Sequence, residues 1–226
     1  MTPSDNEPIP LSPLPGRTTD RSAAYLALLR DLLDLVGAES PAADEPGARV
    51  EWHHRARRLV GTTVTHRAKE GLAPEEWFEP LIRAAVHEPD PSFTRQLVEP
   101  AITAFGHLRV QLALIAHLDT GTAPDMAGAA RAWYWTEIAV GYLTGSDTPT
   151  AQSLDLRGRY HRLALRRFVG ETDLDVRRCI LPGLPLDQAL YPAELHDLVT
   201  EAVRIARTSG DDYLRHRVEL QVPLEP

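Results

Sequence analysis

A chain of 226 residues, 43% apolar and 25% charged, is long enough to bury a core in one large domain or two small ones. Its net charge of −8 argues against a generic binder of nucleic acid, and no apolar run approaches the roughly 18 residues of a membrane span. The single cysteine, Cys179, excludes an internal disulfide framework and any multi-cysteine zinc site.

The first 19 residues hold five prolines and little that could enter a core, so an extended or disordered arm is expected there, with the domain over 20–226. The arm has no basic start followed by an apolar stretch, so it does not read as a signal peptide, and a cytoplasmic location is expected. Arginine outnumbers lysine 23 to one. That bias suggests a GC-rich bacterial gene and carries no chemistry.

From there the periodicity is helical, and runs of alternating β-branched residues are missing. Asp20 is placed to cap a helix over 21–36, with Leu26, Leu29, Leu33 and Val36 as its apolar stripe. A Gly/Ser/Pro/Asp loop over 37–47 leads to a helix over 48–69, its apolar positions being Val50, Leu59, Val60 and Val64. Pro74 opens PEEWFEPLIRAAVHE, a start rich in acids as the helix dipole favours. Pro89-Asp90-Pro91 ends it. Helices follow at 92–105, 106–119 and 125–143, then a loop over 144–150, then helices near 155–169, 174–181, 192–208 and 211–220. Pro80 and Pro100 stand in matching Glu-Pro contexts, where each is expected to bend or break its helix.

One phrase is written twice. Asp173 precedes Arg177 by four, and Asp211 precedes Arg215 by four, with looser versions at Asp90 to Arg95, Asp125 to Arg131 and Asp44 to Arg49. The arginines recur at 36 to 46 residues, a spacing suited to stacked helix pairs. In such a stack the Asp caps a helix start, and the Arg one turn later reaches an acid of the next repeat.

The segments Asp173–Arg178 and Asp211–Arg215 resemble the turn and second-helix start of HEAT repeats, and His107–Trp135 is similar to one helix–turn–helix unit of that family. The resemblance is best over about 74–220 and departs in spacing at Asp44 to Arg49. It implies an all-α, HEAT-like solenoid of about five antiparallel helix pairs, in a family that mostly binds other macromolecules.

The candidate site residues come from this frame. Arg131, Trp133 and Trp135 lie on one helix, the two tryptophans about 200° apart, so one is expected inside and the other outside. Arg178 and Arg217 stand just past the repeated arginines and are expected to point outward. Cys179 reads as a packed small residue. Two stretches are basic: His53 to Lys69, and Arg157 to Arg167, which has no acid from 156 to 170. On one wall they would hold a phosphate or an acidic partner, but a solvated face paired with neighbouring acids is the simpler reading. Glu51 and His54 have the spacing of half a di-iron site whose other half is missing, and phosphate-loop, dinucleotide and nucleophile-elbow motifs do not occur. No cofactor or metal is therefore expected.

These readings favour a non-catalytic scaffold that grips a protein partner on the concave face of the solenoid through Trp133, Trp135, Arg131, Arg178 and Arg217. The alternative is a nucleic-acid binder, akin to HEAT-like DNA glycosylases that remove alkylated bases, with Glu137 as carboxylate beside the tryptophans. A carrier or lyase for a small chromophore or lipid, and homo-oligomerisation without another partner, complete the alternatives.

Overall fold

The computed structural model describes residues 22–40, 48–143 and 150–222, with side chains over 24–40, 51–139 and 150–222. The expected N-terminal arm, the cap Asp20, the loops over 41–47 and 144–149, and the Asp44 copy of the repeated phrase lie outside the described residues. Ten α-helices and no strand occur among the described residues. They are α1 (Ser22–Val36), α2 (Ala48–Lys69), α3 (Phe78–His87), α4 (Arg95–Phe105), α5 (His107–Thr120), α6 (Ala123–Leu143), α7 (Ala151–Gly170), α8 (Leu174–Ile180), α9 (His196–Arg207) and α10 (Asp212–Gln221). No described helix is long and apolar enough to cross a membrane.

Consecutive helices pair, as α1 with α2, α3 with α4, α5 with α6, α7 with α8 and α9 with α10. Each helix also packs on the next but one: α1, α3, α5, α7 and α9 form one row, and α2, α4, α6, α8 and α10 form the other. One continuous apolar core runs between the rows, from Tyr25 on α1 to Val218 on α10. Burial of these side chains, at roughly 1.5–3 kcal/mol for each large one, is the main term holding the helices together.

The local chemistry explains the helix ends. Asp173 and Asp211 cap α8 and α10, their carboxylates accepting the N–H of Val176 and of Leu214, each at 3.0 Å. Thr150 caps α7, accepting the N–H of Ser153, so α7 starts four residues before the expected 155. Asp125, inside the first turn of α6, reaches back to accept the N–H and O–H of Thr122. Leu59 departs from expectation and is exposed; the inward stripe of α2 is Trp52, Ala56, Val60 and Val64, spaced by four.

Neither proline breaks its helix. Pro80 stands in the first turn of α3, where its missing N–H costs nothing. Pro100 lies inside α4, and its ring frees the carbonyl of Gln96 four residues earlier. Gly61 of α2 lies against that carbonyl: a Cβ there would stand 2.9 Å from it. At Gly128 of α6 the approach is closer still, since a Cβ would fall 1.8 Å from the carbonyl oxygen of Val86.

Candidate functional site

A buried carboxylate ties the first helices to the middle of the chain. Glu88, fully buried just past α3, accepts from the Tyr25 hydroxyl, from Arg57 Nη1 at 2.7 Å and from the backbone N–H of Asp90 at 2.9 Å. Burial and the Glu88 charge together raise the Tyr25 phenol well above its ordinary range, which keeps it a donor. Arg57 also lies over the ring of Phe93, 4.4 Å from its centroid. The backbone carbonyl of Glu88 in turn accepts from Arg131 Nη2 at 2.9 Å.

Arg131 forms the floor of an open cleft of about 320 Å³. The cleft lies between α6, α8, the turn over Leu181–Gly183, α10 and residues 91–92. On α6, Arg131 and Trp135 share one helix face at a spacing of four, with Tyr134 beside them. The Trp135 indole donates to the Pro91 carbonyl at 3.1 Å, and the rings of Tyr134 and Trp135 meet edge to face at 5.4 Å. Arg178 and Cys179 come from α8, and Tyr213 and Arg217 from α10, one turn apart. Cys179 is buried, with Arg131 Nη1 3.5 Å from its sulfur, in keeping with a packed residue.

Four of the five residues nominated by the sequence, Arg131, Trp135, Arg178 and Arg217, thus line one cleft. Trp133 does not. It is buried and stacked flat on Tyr160 of α7, with 4.0 Å between centroids, because the helix twist turns it away from Trp135. The expectation that Arg178 points outward is also corrected: it is 7% exposed and ion-paired to Asp211 of α10, with Nε 3.1 Å from Oδ2. That pair takes over the role expected of Arg177 and Arg215. Arg177 instead donates to the carbonyl of Phe168 at 3.2 Å, and Arg215 pairs with Asp212 and the carbonyl of Ser209. Arg217 is half-buried and makes one long bond, 3.4 Å from Nη2 to the carbonyl of Pro182.

The electrostatics follow from these partners. The Asp211 hydrogen bonds hold the Arg178 guanidinium above its already high range. Burial alone would raise the Asp211 carboxyl, but its bonds from Arg178 and the Leu214 N–H outweigh that and lower it.

The two basic stretches belong to different rows, α2 packing on α1 and α4, and α7 on α5, α8 and α9. Much of their charge is paired: Arg55 with Glu51, Arg57 with Glu88, Arg157 with Glu137 and Arg167 with Glu171. Arg58, His66 and Lys69 of α2 line a shallow groove with Gln96 and Thr103 of α4. Glu137 is held by Gln111 at 3.0 Å and by Arg157, and it does not line the cleft of Trp135. His54 stands edge-on to Phe93 and contacts Arg57 while Glu51 faces Arg55, so the two do not converge. Among the described residues no cluster of three or more His, Cys, Asp or Glu could hold a metal ion.

Sequence reasoning missed Glu88, Tyr213 and Tyr134. The signal at Glu88 was faint: an acid at a helix end before Pro89-Asp90-Pro91, which reads as an exposed terminus. No protein-family model, curated protein or solved structure matches this chain.

Proposed function

We propose that the chain is a non-catalytic binding protein, a HEAT-like α-solenoid of five helix pairs, that holds a protein partner in the cleft between α6, α8 and α10. The alternation of contacts supports the repeat reading, since paired neighbours plus next-but-one packing is the arrangement a helix-pair stack requires. The observation that carries the binding reading is the convergence of Trp135, Tyr134, Tyr213 and Arg217 on one open cleft in the row of even-numbered helices. Aromatic and arginine side chains at a concave site are what interface anchors are made of. Among the described residues that line the cleft, no His, Asp or Glu stands beside Ser92 or Cys179 to act as a base.

The test is capture from native extract with wild type beside Trp135→Ala and Tyr134→Ala, both checked by circular dichroism. A protein held stoichiometrically by wild type and lost by the folded variants supports the reading. Unchanged capture by Trp135→Ala overturns it, as does capture of the chain's own copies alone.

A second reading, nucleic-acid binding, draws on the groove of α2 and α4. Arg58 and Lys69 are exposed there and form no ion pair among the described residues. A salt-dependent mobility shift of duplex DNA that Arg58→Ala and Lys69→Ala weaken would favour it.

A further inference from the structure

We infer that the cleft recognises a carboxylate lying next to an aromatic or large apolar side chain in the partner, an inference that rests on the protein-binding role proposed above.

Three guanidinium groups line the cleft, and the carboxylates that act on them, Asp211 directly and Asp175 through space, both serve Arg178. Asp211 is committed to Arg178 and to the α10 cap. Arg131 is 6% exposed, and its acceptors are a backbone carbonyl and the sulfur of Cys179. Its Nε is buried without an acceptor. Arg217 has a single long bond to a carbonyl, and its Nε is likewise buried without an acceptor. Neither Arg131 nor Arg217 forms an ion pair with a carboxylate among the described residues. A buried guanidinium without a carboxylate partner is costly. An anion entering from solvent would offset that cost.

The rest of the lining selects the anion. Beside the arginines stand Tyr134, Trp135 and Tyr213, with Pro91, Ala130 and Pro182. A planar carboxylate fits the guanidinium fork with two parallel bonds, and a flat ring beside it has Trp135 or Tyr134, whose rings stand nearly perpendicular, to stack on. A phosphate fits the same fork, so inorganic phosphate is the competing anion to test. The local sign is opposite to the chain's net charge of −8, so acidic segments are drawn to this cleft. An Asp or Glu side chain and a chain-terminal carboxylate share this chemistry.

The experiment titrates the full chain with three peptides: acetyl-Gly-Phe-Asp-Gly-amide, its Asn counterpart, and acetyl-Gly-Gly-Phe with a free C-terminus. The indole N–H signal of Trp135, assigned with Trp135→Phe, reports binding. Slowed alkylation of Cys179, the chain's one thiol, reports it independently. The Asp peptide should bind about tenfold more tightly than the Asn peptide, as hydrogen bonds to a charged group imply. Arg217→Gln should abolish that difference while leaving the helical circular dichroism intact, and Arg217→Lys should restore part of it. The free-acid peptide tells a chain terminus from a side chain. Equal binding of the Asp and Asn peptides overturns the inference, and so does inorganic phosphate moving the same signal at lower concentration. If partner capture depends on Trp135 but not on Arg217, the carboxylate assignment fails while the protein-binding role stands. If it depends on neither, both fail.

Discussion

Asp173 and Asp211 occupy the same place in the repeated phrase, and one substitution at both separates two physical roles. Each caps a helix through its Oδ1 oxygen at 3.0 Å. Asn caps as well as Asp, so Asp→Asn keeps this bond. Asp173 is exposed and its carboxylate only caps, so Asp173→Asn should change stability by less than about 0.5 kcal/mol. Asp211 also receives Arg178 on Oδ2, and both side chains are under a tenth exposed. In Asp211→Asn the freed position becomes an N–H₂ facing a guanidinium, donor against donor, and Arg178 loses its directly bonded counter-ion, with Asp175 acting on it only through space. The loss should be about 3 kcal/mol, the low end for removing one partner of a buried pair. Urea unfolding at pH 7, followed by helical circular dichroism, measures both. The folded-state pKa of Asp211 lies below its ordinary value, so the pair's contribution is present above about pH 4 and fades as the pH falls through the folded value. The gap between wild type and Asp211→Asn should close in the same window. Equal costs at the two positions, or a gap that does not narrow at all as the pH falls below about 4, would refute the assignment of the ion pair to Asp211 alone.

Three further outcomes follow from the packing. His161, half-buried on α7 between Arg157 and Arg162, has its pKa lowered to about 4 by burial first and those two charges second. The unfolded ring takes its proton near pH 6.5, so acidification from 6.5 to 4 destabilises the fold by about 2 kcal/mol after a discount for partial exposure; His161→Gln should flatten that stretch of the stability–pH curve, read by urea unfolding at several pH values. Gly128→Ala puts a methyl 1.8 Å from the Val86 carbonyl oxygen, and because backbone must move, a loss above about 3 kcal/mol is expected, visible as a lowered thermal midpoint. Trp133→Ala removes a buried ring stacked on Tyr160 and should cost about 3–5 kcal/mol, with peptide binding at the cleft unchanged in the fraction that stays folded.

Much of the local structure was legible because it is written locally. The expected 48–69 helix is Ala48–Lys69, and the capping roles of Asp173 and Asp211 follow from one residue and the apolar run behind it. The 200° between Trp133 and Trp135 predicted opposite faces without saying which faced inward, since that depends on Tyr160, 27 residues later. The cleft was half legible. Arginines and aromatics could be nominated, but their convergence depends on which helices become next-but-one neighbours. The arginine roles were misassigned for a physical reason: Arg177 and Arg178 are about 100° apart on a helix, and the sequence does not show which of them looks across to α10. Arg178 does, so it is the buried partner, while Arg177 turns back to Phe168.

The Glu88 cluster explains why the cleft stays positive. Arg131 could have neutralised itself against Glu88, but that carboxylate is occupied by Tyr25, Arg57 and the N–H of Asp90. Only the Glu88 backbone carbonyl is left for Arg131, and it fixes the guanidinium in place without cancelling its charge. Position and charge are thus supplied by different groups: the carbonyl orients Arg131, and Arg57 uses up the acid that would have silenced it. Tyr25 on α1 and Arg57 on α2 therefore act on a cleft formed by α6, α8 and α10. Freeing Glu88 from them, as in Arg57→Gln, would leave an unpaired acid next to Arg131 and should weaken the carboxylate recognition proposed for the cleft even though no residue lining it had changed.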